Sequence, residues 1–236
     1  MPGPENVGSP FDRFHADYDQ ALSRGLSVTG LDKLFFARAR MAFLAERLRE
    51  LGRRPLSVLD FGCGTGTSIP LFRDLLQAES VVGVDASELS LAAARELHGS
   101  SSVTFRAARE YAPEGAFSLA FCNGVFHHVP PEERPGVARL IRDSLEPGGL
   151  FALWDNNPWN PGARYVMWRI PFDRDAVMLS ARAARRLLER QGFEVLRVDH
   201  LFIFPRILKA LRPLEGPLAA FPLGAQFQVL ARRPLA

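Results

Sequence analysis

Between Ser57 and Trp154 the chain alternates short apolar runs with stretches whose apolar residues recur at helical spacing. Ser57–Phe61 reads as a strand and Ile69–Gln77 as a helix. Val81–Val84 reads as a strand ending at Asp85, and Ser87 is placed to cap a helix over Glu88–His98 that Gly99 closes. Val103–Arg106 and Phe117–Cys122 read as further strands, followed by a helix near Glu132–Leu145, a sharp turn at Pro147-Gly148-Gly149 and a strand at Leu150–Trp154. Strands separated by helices predict a parallel sheet covered on both faces.

The flanks follow other patterns. Residues 1–10, rich in Pro and Gly, are expected to form a flexible tail. From Phe11 to Leu51 the pattern is helical, with Phe35, Phe36, Ala39, Phe43, Leu44 and Leu48 at helix spacing and Gly52 as the stop. Asn156–Asp175 has little period and reads as a loop. Ser180 caps an amphipathic helix, Ala181–Gln191, and Phe193–His200 and Gln226–Arg232 read as strands. Between them lies an apolar segment, 204–224, punctuated by prolines. No repeat or linker divides the chain, so 11–236 is expected to be one domain: a helical cap over 11–52, a core over 55–155, and a last third over 156–236.

Composition narrows the class. A chain of 236 residues with 47% hydrophobic content can bury one sizeable core. The net charge of +3 is small, and its basic residues interleave with acids in no long run, so a nucleic-acid partner is not expected. Cys63 and Cys122 are too few for a disulfide framework and read as small apolar residues of a reduced compartment. No apolar stretch reaches membrane-span length, and the N-terminus lacks a signal pattern. A cytoplasmic location is the resulting expectation.

The chemistry concentrates in Val58-Leu59-Asp60-Phe61-Gly62-Cys63-Gly64-Thr65-Gly66. A strand ends in closely spaced glycines, where a backbone without Cβ atoms lets a ligand approach. Asp85 ends the next strand, where a carboxylate can accept from both hydroxyls of a ribose. Together these indicate an adenosine-containing ligand. The dinucleotide fingerprint is G-x-G-x-x-G, whereas this chain has Gly62-x-Gly64-x-Gly66 with Asp60 before it. That acid would repel a pyrophosphate but could receive the ammonium of a methionine moiety.

Over residues 11 to 233 the chain resembles the class I S-adenosylmethionine-dependent methyltransferases of the small-molecule group. The likeness rests on Leu59 to Gly66, Val82-Gly83-Val84-Asp85-Ala86-Ser87, Phe126-His127-His128-Val129, Leu145-Glu146-Pro147-Gly148-Gly149 and Gln191-Gly192-Phe193, in that order. It implies a Rossmann-like α/β fold with a seven-stranded, mostly parallel sheet, helices on both faces, an antiparallel last strand and an N-terminal helical cap. It further implies that Gly62, Cys63 and Gly64 line the methionine moiety, that Asp85 holds the ribose, that Ala86 packs on the adenine, and that Asn123 and Gly124 meet the methionine end. Tyr18 and Arg40 stand where relatives close over the cofactor. Relatives usually carry Gly-Asp after the third strand; here Ala107-Ala108 stands there, leaving adenine recognition to the backbone and neighbours such as Arg109.

Methyl transfer needs a base only where the acceptor must lose a proton. His128, or else His127, stands where such a base could act, although either could equally brace the following helix. His15 on the cap, with Asn156 and Trp159 after the fifth strand, are candidates to touch the acceptor or to be ordinary loop residues. The 204–224 segment could wall an apolar acceptor, mediate a homodimer, touch a membrane surface or pack onto the core. The expected function is S-adenosylmethionine-dependent transfer to a small, partly apolar metabolite, O-methylation before C- or N-methylation, with no metal. The rivals are a nicotinamide oxidoreductase, for which no Tyr-x-x-x-Lys pair is present, and a protein that holds the cofactor without catalysis. A nucleic-acid methyltransferase is disfavoured because Asn123-Gly124-Val125-Phe126 replaces the Asn/Asp-Pro-Pro-aromatic motif.

Overall fold

The computed structural model describes residues 24–174 and 176–235. Seven strands form one sheet: β1 Ser57–Phe61, β2 Ser80–Asp85, β3 Val103–Ala107, β4 Phe117–Asn123, β5 Leu145–Asn156, β6 Glu194–Leu201 and β7 Gln226–Arg232, in the order β3-β2-β1-β4-β5-β7-β6. Strands β1 to β5 run parallel, and β7 runs antiparallel to both β5 and β6. The chain winds outward from β1 in both directions, so a crevice opens at the carboxyl ends of β1 and β4, where such folds bind ligands.

Alternation along each strand feeds two cores. Val58 packs with Phe72 and Leu91 on one face, and its neighbour Leu59 packs with Ile141 and Leu188 on the other. The first face is covered by α1 Lys33–Glu50, α2 Ile69–Leu76 and α3 Glu88–His98. The second is covered by α4 Arg134–Ser144 and α6 Ala181–Arg190. Fully buried Leu and Phe side chains each stabilise such a core by about 1.5–3 kcal/mol. The expected caps form: the Ser87 hydroxyl accepts from Ser90 N at 3.1 Å, and the Ser180 hydroxyl from Ala183 N at 3.2 Å.

Three expectations are corrected. The helical run before Gly52 is interrupted: a 3-10 turn at Ser27–Thr29 ends in left-handed Gly30, and α1 starts afresh where Asp32 accepts from Phe35 N at 2.6 Å. Asn156–Asp175 is not all loop, because Asn160 caps a short helix, α5 Pro161–Arg169, with Pro161 at its permitted first position. The Pro147-Gly148-Gly149 turn lies inside β5 as a bulge: Phe117 pairs with Leu145, and Leu119 pairs with Leu150. The 204–224 segment forms a 3-10 stretch, Arg206–Leu214, and one turn of helix, α7 Glu215–Leu218, neither of which buries a residue.

Candidate active site

β1 runs directly into the glycine turn at the crevice. Gly62 N and Cys63 N both donate to Val84 O, at 2.7 and 3.1 Å. Gly62 has φ +78°, and a Cβ there would stand 2.1 Å from Val125 Cγ2, so only glycine lets the turn pack on the loop after β4. Gly64 has φ +53° and nothing within 4 Å of where a Cβ would be, so its backbone faces an open cradle. Asp85 fixes this shape: its Oδ2 accepts from Gly64 N at 2.8 Å and its Oδ1 from Ser87 N at 2.9 Å. Cys63 is buried, and burial, with Asp60 and Asp85 nearby, pushes its thiol well up, so it stays neutral.

Asp60, at the end of β1, is 3% exposed. Burial, reinforced by the Asp85 charge, raises its carboxyl from 3.8 to about 8. Its Oδ2 has no hydrogen-bond partner, and neither has the buried Asn123 Oδ1 at the end of β4. Two orphaned acceptors beside a backbone cradle fit a ligand that brings N–H donors and positive charge, as S-adenosylmethionine does. Ala86 is exposed next to Asp85, and Ala108 N donates to Asp85 O at 2.8 Å. The Arg109 guanidinium pairs with Glu88 at 2.8 Å at the surface.

A cavity of about 530 Å³ adjoins this end of the crevice and reaches Asn123 and Gly124. Its walls are mostly apolar: Phe36 from α1, Val166 and Ile170 from α5 and just after it, and Phe202 and Ile203 after β6. Arg40 also lines it, donating to Gln226 Oε1 at 2.9 Å, while Gln226 Nε2 donates to Asn156 Oδ1 at 3.0 Å. Arg40, Asn123, Gly124, His127, His128 and Asn156 are thus brought to one cavity. Trp159 is 66% exposed and does not line it. His15 and Tyr18 lie outside the described residues.

The two histidines sit in a network that sequence reasoning missed. His127 Nδ1 lies 2.5 Å from Asp155 Oδ1, and its Nε2 lies 3.6 Å from Asp173 Oδ1. His128 Nε2 lies 3.1 Å from the same Asp173 oxygen. Adjacent register places these groups together, because Asn123 of β4 pairs with Trp154 of β5, and Asp173 arrives on the 3-10 turn Pro171–Asp173. Burial by itself would lower the His127 pKa. The Asp155 carboxylate, with Asp173 behind it, outweighs burial and raises the group to about 10. Burial would likewise raise Asp173, but its bonds to the two imidazoles leave its carboxyl below the usual range. The donor atoms of His127, His128 and Asp173 lie within 4.8 Å of one another, near enough to grip a cation, yet the Asp173 carboxylate already pairs with both imidazoles. No spacing in the sequence pointed to Asp155, Asp173 or Gln226, because they meet the histidines and Arg40 only through the sheet and a distant loop.

The methyltransferase-domain family profile matches residues 36–198. A trans-aconitate 2-methyltransferase of Azoarcus sp. (strain BH72) is 30% identical over 151 residues, 61% of this chain and 59% of that protein. Another from Variovorax paradoxus (strain S110) is 35% identical over 108 residues, 44% of this chain and 41% of that protein. The matched region therefore spans only two to three fifths of these relatives' length. Among solved structures, an S-adenosylmethionine-dependent methyltransferase of Thermotoga maritima, described as a possible histamine N-methyltransferase, superposes with a TM-score of 0.65 at 21% identity, covering 94% of this chain and 98% of that one. S-adenosylmethionine is the methyl donor of this family, and on the family match the chain belongs to the class I S-adenosylmethionine-dependent methyltransferases.

Proposed function

We propose that this chain methylates a small, largely apolar acceptor at oxygen, using S-adenosylmethionine. The observation that carries this reading is the apolar cavity of about 530 Å³ that meets the cofactor crevice at Asn123 and Gly124. Its relatives named for trans-aconitate act on a tricarboxylate, which needs several cationic partners. Here Lys33, Arg40 and Arg212 line the cavity, but Arg40 donates to Gln226 Oε1, the Arg212 guanidinium lies 4.8 Å from the centre of the Phe35 ring, His127 is held by Asp155 and Asp173, and most of the wall is aromatic or aliphatic. That balance suits an apolar body carrying a single hydroxyl or carboxylate.

When bound, the donor supplies a methyl group made electrophilic by its sulfonium. The glycine turn and Asp85 would hold it, and Asp60 and Asn123 would accept from its polar end. Val166, Ile170 and Phe202 would exclude water and align the acceptor. His127, held as imidazolium between Asp155 and Asp173, is unsuited to accept a proton near neutral pH. His128 is the better base: with Nε2–H donated to Asp173, its proton-accepting lone pair is on Nδ1. Asp173 and His127 would then be positioning residues.

The test is an acceptor panel with S-adenosylmethionine, read as S-adenosylhomocysteine formed. Hydroxylated and carboxylated aromatics or medium-chain acids are expected to exceed trans-aconitate by about tenfold or more in kcat/KM. A preference for trans-aconitate, or product methylated at carbon or nitrogen, would overturn the reading.

A further inference from the structure

The mouth of the cavity is ringed by three segments that meet there. Arg206 donates to Gly30 O at 3.1 Å, joining the start of the 3-10 stretch to the turn before α1. Arg169 at the end of α5 reaches Arg24 O at 3.5 Å, and Asn160 Nδ2 donates to Leu223 O at 2.9 Å. Among the described residues, nine of the sixteen exposed large apolar side chains belong to segments 157–174 and 202–225, which carry these contacts, among them Trp159, Tyr165, Trp168, Ile207, Leu211 and Phe221. Ile207 is 89% exposed, and Arg206–Leu214 buries no residue against the protein. A face of this kind marks an interaction site.

Its charge says what covers it. Across 24–33, 157–174 and 202–225 the exposed charged side chains are Arg24, Arg164, Arg169, Arg174, Arg206 and Lys209 against one exposed acid, Asp32. Two further acids there are turned inward. Asp173 is bound to the histidines, and Glu215 accepts from Phe202 N and Phe204 N at 3.1 and 3.0 Å. A second copy meeting this face would set cations against cations. A bilayer with anionic headgroups would receive both the aromatic and aliphatic tips and the basic fringe.

We propose that this rim docks on an anionic lipid surface, so that an apolar acceptor enters the cavity from the membrane. The route for the acceptor rests on the methyl-transfer reading; the docking does not. No described helix is long and apolar enough to cross a membrane, and the docking proposed is peripheral.

Flotation of the full chain with phosphatidylcholine vesicles, with and without phosphatidylglycerol, tests this in the absence of cofactor and acceptor. Binding is expected only with phosphatidylglycerol, with blue-shifted tryptophan emission and loss in high salt. The double variant Arg164→Glu/Lys209→Glu should weaken it by about tenfold or more. Ile207→Ser/Leu211→Ser should weaken it comparably while sparing turnover of a water-soluble acceptor. Equal partition of the variants with vesicles, or binding indifferent to phosphatidylglycerol, overturns the proposal. So does self-association in solution that Ile207→Ser/Leu211→Ser abolishes, since the rim would then be an interface between copies. Vesicle binding without any methyl transfer would defeat the functional reading and leave the docking standing.

Discussion

The two halves of the site are built in different ways. On the cofactor side, contacts are short in sequence or lie between adjacent strands: Gly62 on Val84, Gly64 and Ser87 on Asp85, Ala108 on Asp85. On the acceptor side, Phe36, His128, Asp173 and Gln226 come from four distant stretches and meet only in the folded chain. A backbone-built half tolerates almost no change where glycine is required, whereas a side-chain-built half can lose function one group at a time. Gly62 and Gly64 test that contrast most severely. Gly62→Ala drives a Cβ into Val125 at positive φ and is expected to lower stability by roughly 2–4 kcal/mol, by denaturant melting. Gly64→Ala meets no protein atom, so its stability loss should stay near 1 kcal/mol. Its affinity for S-adenosylhomocysteine should fall about tenfold or more by calorimetry, because the methyl fills the cradle. If Gly64→Ala binds as well as the parent, the cradle is not where the cofactor lies.

The same contrast governs what the sequence disclosed. β1, β2, α3 and β7 were legible because their apolar runs, caps and terminal acids are local signals. The break at Gly30–Asp32 was missed because Phe35 and its neighbours extend a helical period across it, and α5 was missed because Asn160-Pro161 reads equally as a turn. Asp85 and the glycines could be named from spacing, and Arg40 and Asn156 from the family resemblance. Asp155 and Asp173 could not, since what sets them beside His127 is the pairing of β4 with β5 and a 3-10 turn over forty residues away in sequence.

His128 offers a test within the acceptor half alone. His128→Ala should lower kcat for a hydroxyl acceptor by about a hundredfold with little change in KM, and should scarcely affect a carboxylate acceptor that has no proton to lose. Equal losses for both acceptors would make His128 a brace rather than a base. Asp155→Asn probes the charge behind His127. The His127 pKa is raised above its ordinary 6.5, so its stabilisation is full below that value and is lost as pH rises toward about 10. The parent should therefore lose about 2–5 kcal/mol between pH 6.5 and 10 from this group, while Asp155→Asn should be flatter across the same window. A variant as pH-dependent as the parent there would show that Asp155 does not hold the proton.

Asp60 gives the gentlest effect and returns the comparison to the cofactor side. Its carboxyl is raised from 3.8 to about 8 by burial and Asp85, so the empty fold prefers it protonated at neutral pH. Such a group stabilises most fully below 3.8 and loses that contribution as pH climbs to about 8. A ligand bringing an ammonium to its unpartnered Oδ2 favours the ionised form and must expel that proton. Calorimetry of S-adenosylhomocysteine at pH 7 in buffers of different ionisation enthalpy should therefore report release of up to about one proton. Asp60→Asn should bind more weakly and release none. Binding that is independent of buffer in the parent would place the ammonium elsewhere, and Asn123 would then be the side chain on which the methionine end depends.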